Sequence, residues 1–195
     1  MADLRQVFKG IADAMRIKGA KGEFRPVDMA DAILQLKTDR YITFTAEENT
    51  TLTLTKTGDI GLIKLLKSTD GVNWTKWENP DTNGIVLNAG QSVYLKADEN
   101  APNRSANSDD NYQSFSSTGR IGCTGDIRSI VDVTEPGNYS FWISRLFKGC
   151  STLTSAPELP TMNVTSVGMK SMFSGCISLT TPPELPATTL AYRCY

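Results

Sequence analysis

No histidine occurs anywhere in the 195-residue sequence, which removes the side chain that most often serves as general base, proton shuttle or zinc ligand near neutral pH. Neither a Ser-His-Asp nor a Cys-His nucleophile can be assembled. Four cysteines stand at positions 123, 150, 176 and 194, too far apart for a CxxC redox pair or a zinc knuckle. Carboxylates remain, and polysaccharide hydrolysis needs only two of them facing each other across a glycosidic bond. The adjacent pairs Glu47-Glu48 and Asp109-Asp110 do not meet that need, because neighbours on a strand point to opposite faces and neighbours on a loop have no common aim. The acidic stretch 98–113 lacks the D-x-D-x-D-G spacing of a calcium loop. These absences point away from an enzyme, with no catalytic, cofactor-binding or metal-ligating residues, and leave recognition as the chemistry to look for. Trp74, Trp77 and Tyr112 are the candidate ligand-binding side chains, as large rings with a polar edge. Trp74 and Trp77 share a strand-like run in which one of them belongs to the core, and Tyr112 borders the polar stretch.

Charge narrows the partners. Residues 1–40 carry 8 Lys/Arg against 6 Asp/Glu, residues 41–140 carry 8 against 13, and residues 141–195 carry 4 against 2. No segment is basic enough for a nucleic-acid footprint. No run approaches the ~18 apolar residues of a membrane span, and the opening MADLRQVFKG has no apolar core of a signal peptide. The sequence therefore predicts a protein made in a cytoplasm with reduced thiols, without membrane insertion.

Three periodicities organise the elements that would position such residues. Over residues 1–38 the spacing predicts a helical module. Leu4, Val7, Phe8, Ile11 and Met15 fall on one helical face behind an Asp3 cap, and Met29, Ile33 and Leu34 lie on a second helix that starts near Pro26. A hairpin this small buries too little to offset its ordering entropy of roughly 1–2 kcal/mol per residue, so its stripe must dock, either on the chain's own β domain or on a partner. Residues 39–143 switch to period two, with strand-like runs at 51–55, 62–67, 74–77, 85–87, 92–95, 113–117, 120–126 and 139–143 between turn-rich segments. An antiparallel β-sandwich is the expected form, with residues 98–113 as a long exposed loop.

Residues 144–195 repeat themselves with a period of 26. Leu146-Phe-Lys-Gly-Cys-Ser-Thr-Leu-Thr-Ser-Ala-Pro-Glu-Leu-Pro160 returns as Met172-Phe-Ser-Gly-Cys-Ile-Ser-Leu-Thr-Thr-Pro-Pro-Glu-Leu-Pro186. Such a period with regular Leu and Cys predicts leucine-rich-repeat coils that stack like side chains. Cys150 and Cys176 become ladder neighbours with buried thiols, Phe147, Leu153, Leu159 and their counterparts become core, and no third copy begins. The expected fold is thus mainly β with a short α N-terminus: a helical hairpin, a small sandwich, then the start of a longer array of coils.

The phrase F-x-x-C-x-x-L-T-x-x-P-E-L-P resembles the cysteine-containing leucine-rich repeats of the BspA type, found on surfaces of gut bacteria and in proteins of their phages. Ile11-Ala-Asp-Ala-Met-Arg-Ile-Lys-Gly and Phe24-Arg-Pro-Val-Asp-Met-Ala-Asp-Ala-Ile33 resemble the helical opening of phage tail and fibre proteins, and residues 44–131 are similar to β domains that precede BspA-type repeats. The resemblance implies a virion structural protein, a tail or head fibre. It implies that the amino-terminal helices bind other virion proteins, that the remainder faces a host-surface glycan or protein, and that the chain is a homo-oligomer. The alternative it leaves open is a bacterial cell-surface adhesin.

Overall fold

A computed structural model describes residues 41–98, 105–130, 141, 143–159, 166–185 and 191–193. The chain divides into two units, residues 1–40 and 41–195, and every described residue belongs to the second. The candidate docking residues Leu4, Val7, Phe8, Ile11, Met15, Met29, Ile33 and Leu34 lie outside the described residues.

Alternation of β-branched and polar residues builds nine strands: β1 (Ile42–Ala46), β2 (Thr50–Thr57), β3 (Leu65–Ser68), β4 (Thr75–Lys76), β5 (Ile85–Leu87), β6 (Ser92–Ala97), β7 (Tyr112–Ser117), β8 (Ile121–Gly125) and β9 (Leu153–Ser155). They form a six-stranded sheet in the order β4-β3-β6-β1-β8-β9 and a three-stranded sheet in the order β5-β2-β7. Ile42, Phe44, Val93 and Leu95 turn inward from the larger sheet, Leu52, Leu54 and Phe115 from the smaller, and Phe44 meets Phe115 across the gap at 4.9 Å between ring centroids. Gln113, fully buried, accepts from the Ile63 amide at 2.6 Å and donates to the Gly61 carbonyl at 3.0 Å, tying the chain before β3 to β7.

The expected architecture needs correction. No α-helix occurs among the described residues, which carry one 3-10 turn at Ile127–Ile130. The repeat is not a separate array after a small sandwich either, since β9, inside the first coil, pairs parallel with β8 and is the edge of the larger sheet. The helical hairpin expected at 1–38 lies outside the described residues, and the turns of the two coils have a local cause. Phe141, Arg145 and Gly149 have φ of 61°, 62° and 79°, and Val167, Ser171 and Gly175 have 54°, 55° and 83°. A left-handed residue at every fourth position cannot propagate an α-helix, and the backbone advances instead as consecutive tight turns. Left-handed conformation costs about 1–2 kcal/mol for a residue other than glycine, so each coil depends on its neighbours to hold its shape.

Those neighbours supply hydrogen bonds with a strict parity. The N–H groups of Ser144, Leu146, Lys148 and Cys150 close turns onto the carbonyls of Phe141, Ile143, Arg145 and Phe147 at 2.9–3.4 Å. The N–H groups of Ile143, Arg145, Phe147 and Gly149 donate to the next coil, on the carbonyls of Gly168, Lys170, Met172 and Ser174 at 2.8–3.0 Å. On the other side, the carbonyls of Ser144, Leu146 and Lys148 accept from Ser105 Oγ, the Phe115 amide and Ser114 Oγ. The β7–β8 arch, whose two strands lie in different sheets, and Ser105 before it therefore stand where a preceding coil would stand. Ser105 and Ala106 are consequently buried, although the whole stretch 98–113 reads as an exposed loop in sequence; residues 99–104 lie outside the described residues. The strand expected at 139–143 is likewise replaced at Phe141 and Ile143 by turns.

Side chains follow the same stacking. Phe115, Phe147 and Phe173 form one column, at 5.6 and 5.5 Å between successive rings, the second pair stacked at 13°. Ile121 pairs with Leu153 in register. Cys123, Cys150 and Cys176 are buried free thiols, and burial next to Cys150 pushes Cys176 up to about 12 and Cys123 well above the ordinary range. Such thiols act as small apolar core groups.

Outside the core, Asp109 clips the two coils together. Its carboxylate receives Arg145 Nη2 at 2.7 Å and Lys170 Nζ at 2.8 Å, from coils one and two. Arg145 is 8% exposed and its Nε has no partner among the described residues, whereas Asp109 is 52% exposed. Hydrogen bonds from Lys170 and then Arg145 hold the Asp109 carboxyl below its ordinary 3.8. Asp109→Asn should lower the melting temperature at pH 7, because it strips a nearly buried guanidinium of its anion. A carboxyl with a depressed folded value stabilises fully above the ordinary value and loses that contribution as pH falls through the depressed one. Thermal melts of the two proteins should therefore converge in strong acid; equal melting temperatures at pH 7 would show that the clip contributes nothing.

Candidate functional site

The outward positions of the larger sheet are mostly hydroxyls. Thr43 faces Thr124 on one side and Tyr94 on the other, and Thr45 lies opposite Ser92 with their hydroxyls 2.8 Å apart. Against this polar field one end is aromatic. Tyr41 packs edge-on against Tyr94 at 4.9 Å and 68°, and tilts against Trp74 at 5.9 Å and 46°. All three rings are half-buried, and Val72, two residues before Trp74, is 76% exposed on the same turn. Lys96 Nζ stands 4.3 Å from the Trp74 ring centroid.

Strand alternation sets Tyr94 and Lys96 on the same outward face of β6, and Tyr41 leads into β1 beside it. Trp74 is held by turn chemistry. Ser68 Oγ, almost fully buried, accepts from the amides of Asp70 and Gly71 at 3.2 and 2.9 Å and donates to Asp70 Oδ1 at 2.8 Å. Asp70 Oδ1 accepts from the amides of Val72 and Asn73, and Oδ2 accepts from the Asn73 side chain at 2.6 Å. Those bonds, the Asn73 amide first, hold the Asp70 carboxyl well below the usual carboxylate range, so the turn keeps its acceptor across the physiological range. Gly71 completes it at φ 72°, where a Cβ would reach 3.7 Å from the Tyr41 hydroxyl. The turn is thus closed internally and seated on the aromatic cluster that it serves.

Chemically the arrangement is a fixed surface of mixed polarity. Three rings offer apolar faces and edges, Tyr41 and Tyr94 offer hydroxyls, and Lys96 offers one cation. An ammonium over an exposed ring is worth about 0.5–1 kcal/mol, a small cost to displace for a ligand that stacks on the same face. A ligand with a carboxylate or sulfate beside its stacking face would keep Lys96 in use instead of displacing it.

The structure separates the three aromatic candidates. Trp74 lies in this cluster. Trp77 is 3% exposed, its Nε1 donates to the Asn83 carbonyl at 2.8 Å, and it is a core residue. Tyr112 lies on the other sheet, with the ammonium of Lys148 4.7 Å and the guanidinium of Arg145 5.5 Å from its ring centre, where it joins β7 to the first coil. Hydrogen bonds with Thr57 and Lys148 lower its phenol from the ordinary range. Tyr41, Tyr94 and Lys96 had not been singled out in the sequence. Their signal is the placement of two tyrosines and a lysine at outward positions of alternating strands, where the neighbours are small hydroxyls.

Three of the four paired carboxylates are spent on structure. Glu47 accepts from Thr154 and Arg120 Nε, Glu48 accepts from the Arg120 amide at 2.7 Å, and Asp109 is the inter-coil clip. Among the described residues no group of three or more Cys, Asp or Glu is set to hold a metal ion.

No protein-family model, curated protein or solved structure matches this chain.

The two tryptophans should respond oppositely to truncation. Trp77→Ala is expected to cost about 3–5 kcal/mol in urea denaturation, and Trp74→Ala no more than about 1 kcal/mol. Comparable losses for both would place Trp74 in the core rather than on a surface held ready for a ligand.

Proposed function

We propose that this chain is a structural component of a phage particle that presents the Tyr41–Trp74–Tyr94 surface to a glycan on the host envelope. The observation that carries the recognition part is the aromatic cluster itself, set with Lys96 on a sheet face otherwise lined by hydroxyls and fixed by a turn with no other evident purpose. Sugar rings pair an apolar face of C–H groups with a rim of hydroxyls, and this surface offers a complement to each. The particle assignment rests on the resemblance of residues 11–33 to phage fibre openings and of residues 146–186 to BspA-type repeats. Assembly then falls to residues 1–40, which hold the fibre-like opening.

Binding of the intact chain to polysaccharides extracted from candidate host envelopes, read by interferometry, tests the recognition part. Trp74→Ala should weaken binding at least tenfold, or about 1.4 kcal/mol, while Tyr112→Ala leaves it unchanged. Binding indifferent to Trp74 would move the site elsewhere. Light scattering tests assembly: the intact chain should be a homo-oligomer and residues 41–195 a folded monomer, and equal oligomeric states would remove self-assembly from residues 1–40.

A further inference from the structure

Lys96 stands apart from the other charges on the outward face of the larger sheet. Strand register sets Lys76, Leu66 and Lys96 in one row across β4, β3 and β6, and Ser68, Tyr94, Thr43 and Thr124 in the next row across β3, β6, β1 and β8. Residues paired in register share a face, so both rows lie on the side that carries the aromatic cluster. The carboxylates beside that cluster are engaged. Asp70 is turned into the loop before Trp74, where it receives the amides of Val72 and Asn73 and the side chains of Asn73 and Ser68. Asp98, two residues beyond Lys96, is paired with Lys76 at 3.7 Å, and its side chain is 13% exposed. Farther along β1 and β8, Glu47 pairs with Arg120 and Asp126 with Arg128. Among the described residues no carboxylate is paired with Lys96, whose ammonium rests over the Trp74 ring.

An ammonium over a ring is held more weakly than one hydrogen-bonded to an anion. A sugar that stacks on Trp74 covers the ring face above which the ammonium sits, so Lys96 must move aside for any such ligand. With a neutral sugar the ammonium loses its ring contact and returns to water. With an acidic sugar it meets an anion at the rim of the very ring that displaced it. Tyr41, Trp74 and Tyr94 are half-buried against one another, so that meeting takes place beside apolar walls, where solvent and salt screen it less than on open surface. Lys76 has no such role, because Asp98 already holds it.

We infer that the sugar taken at Trp74 is acidic, with a carboxylate or sulfate at the edge of its pyranose ring, and that Lys96 selects for it. The inference rests on the glycan reading of the same surface and adds to it the class of sugar. Trp74 stacks on the C–H face, Tyr41 and Tyr94 offer edges and hydroxyls to the rim, and none of these rings tells an acidic sugar from a neutral one. Lys96 does. A lysine ammonium is a compact point charge that accepts either anion, so carboxylate and sulfate share this chemistry and are told apart by the probes.

The probes are the methyl glycosides of glucose and galactose, of the corresponding uronates, and of the corresponding primary sulfate esters. Each is titrated into the intact chain while NMR follows the indole N–H signal of Trp74, assigned by its loss in Trp74→Ala. In at least one sugar series an acidic glycoside should bind about tenfold more tightly than its neutral parent, as one charge-assisted bond added to the same stack requires. The arm that shows the gain, uronate or sulfate, names the anion. Lys96→Gln should erase the difference and Lys96→Arg should keep it. Lys56→Gln, which removes the same charge from an exposed position on β2 of the smaller sheet, should leave the difference as it is. Equal binding of acidic and neutral glycosides through Trp74, or a preference that survives Lys96→Gln, would overturn the choice of sugar and leave the glycan reading standing. If no glycoside moves the Trp74 signal, the choice of sugar falls, while envelope polysaccharides that bind through Trp74 would still uphold the broader reading.

Discussion

The contact on which the body depends is the seating of the first coil on the β7–β8 arch, which crosses from the smaller sheet to the larger. A coil built of consecutive tight turns has no second face to fold onto and spends free energy on left-handed residues, so in isolation it has no stable form. The arch, with Ser105 before it, supplies what is missing in three ways at once. Phe115 gives the ring on which Phe147 packs, β8 gives the backbone edge for β9, and Ser105, Ser114 and the Phe115 amide give donors for the carbonyls of coil one. Burying a Phe or Leu contributes about 1.5–3 kcal/mol, and each stacked set contributes three such side chains. The sandwich therefore acts as a template, and the coils inherit their shape from it.

That inheritance has a direction. Because one parity of amides closes turns and the other reaches forward, coil one accepts from Ser105, Ser114 and Phe115 on one side and donates to coil two on the other. Asp109 adds an ionic tie outside the apolar columns, joining Arg145 to Lys170 beside the backbone bond that already links the two residues.

Much of the body was legible in the sequence because period two is a strong signal when one face is buried. Runs read at 51–55, 85–87 and 92–95 fall within or on β2, β5 and β6. Even the division of labour between Trp74 and Trp77 was foreshadowed, since an odd separation along a strand-like run puts one ring in and the other out. The role of the arch and the 3-10 turn after it as a preceding coil was not seen, because Phe115, Ile121 and Ile127 match Phe147, Leu153 and Leu159 at an offset of 32 residues, while the visible repeat runs at 26. Only the spacing of six is shared, and the intervening letters differ. The burial of Ser105 was hidden for a related reason: a serine in a polar stretch looks solvated until its hydroxyl is needed by a carbonyl elsewhere.

The aromatic surface was half legible for a reason that separates sites from cores. Core positions are constrained by many neighbours, so their pattern repeats along the chain and can be read from spacing alone. A surface site is assembled across strands, here from residues 41, 74, 94 and 96, and no spacing within one strand announces it. What does announce it is a local excess of fixation. The Ser68–Asn73 turn makes six hydrogen bonds through two side chains, Ser68 and Asp70, on a loop whose outward ring is half-buried. A loop needed only to connect β3 to β4 would tolerate looser geometry; rigidity beyond the needs of the fold is the feature that a preorganised binding surface requires, because each rotamer fixed in advance is one that a ligand need not fix on arrival.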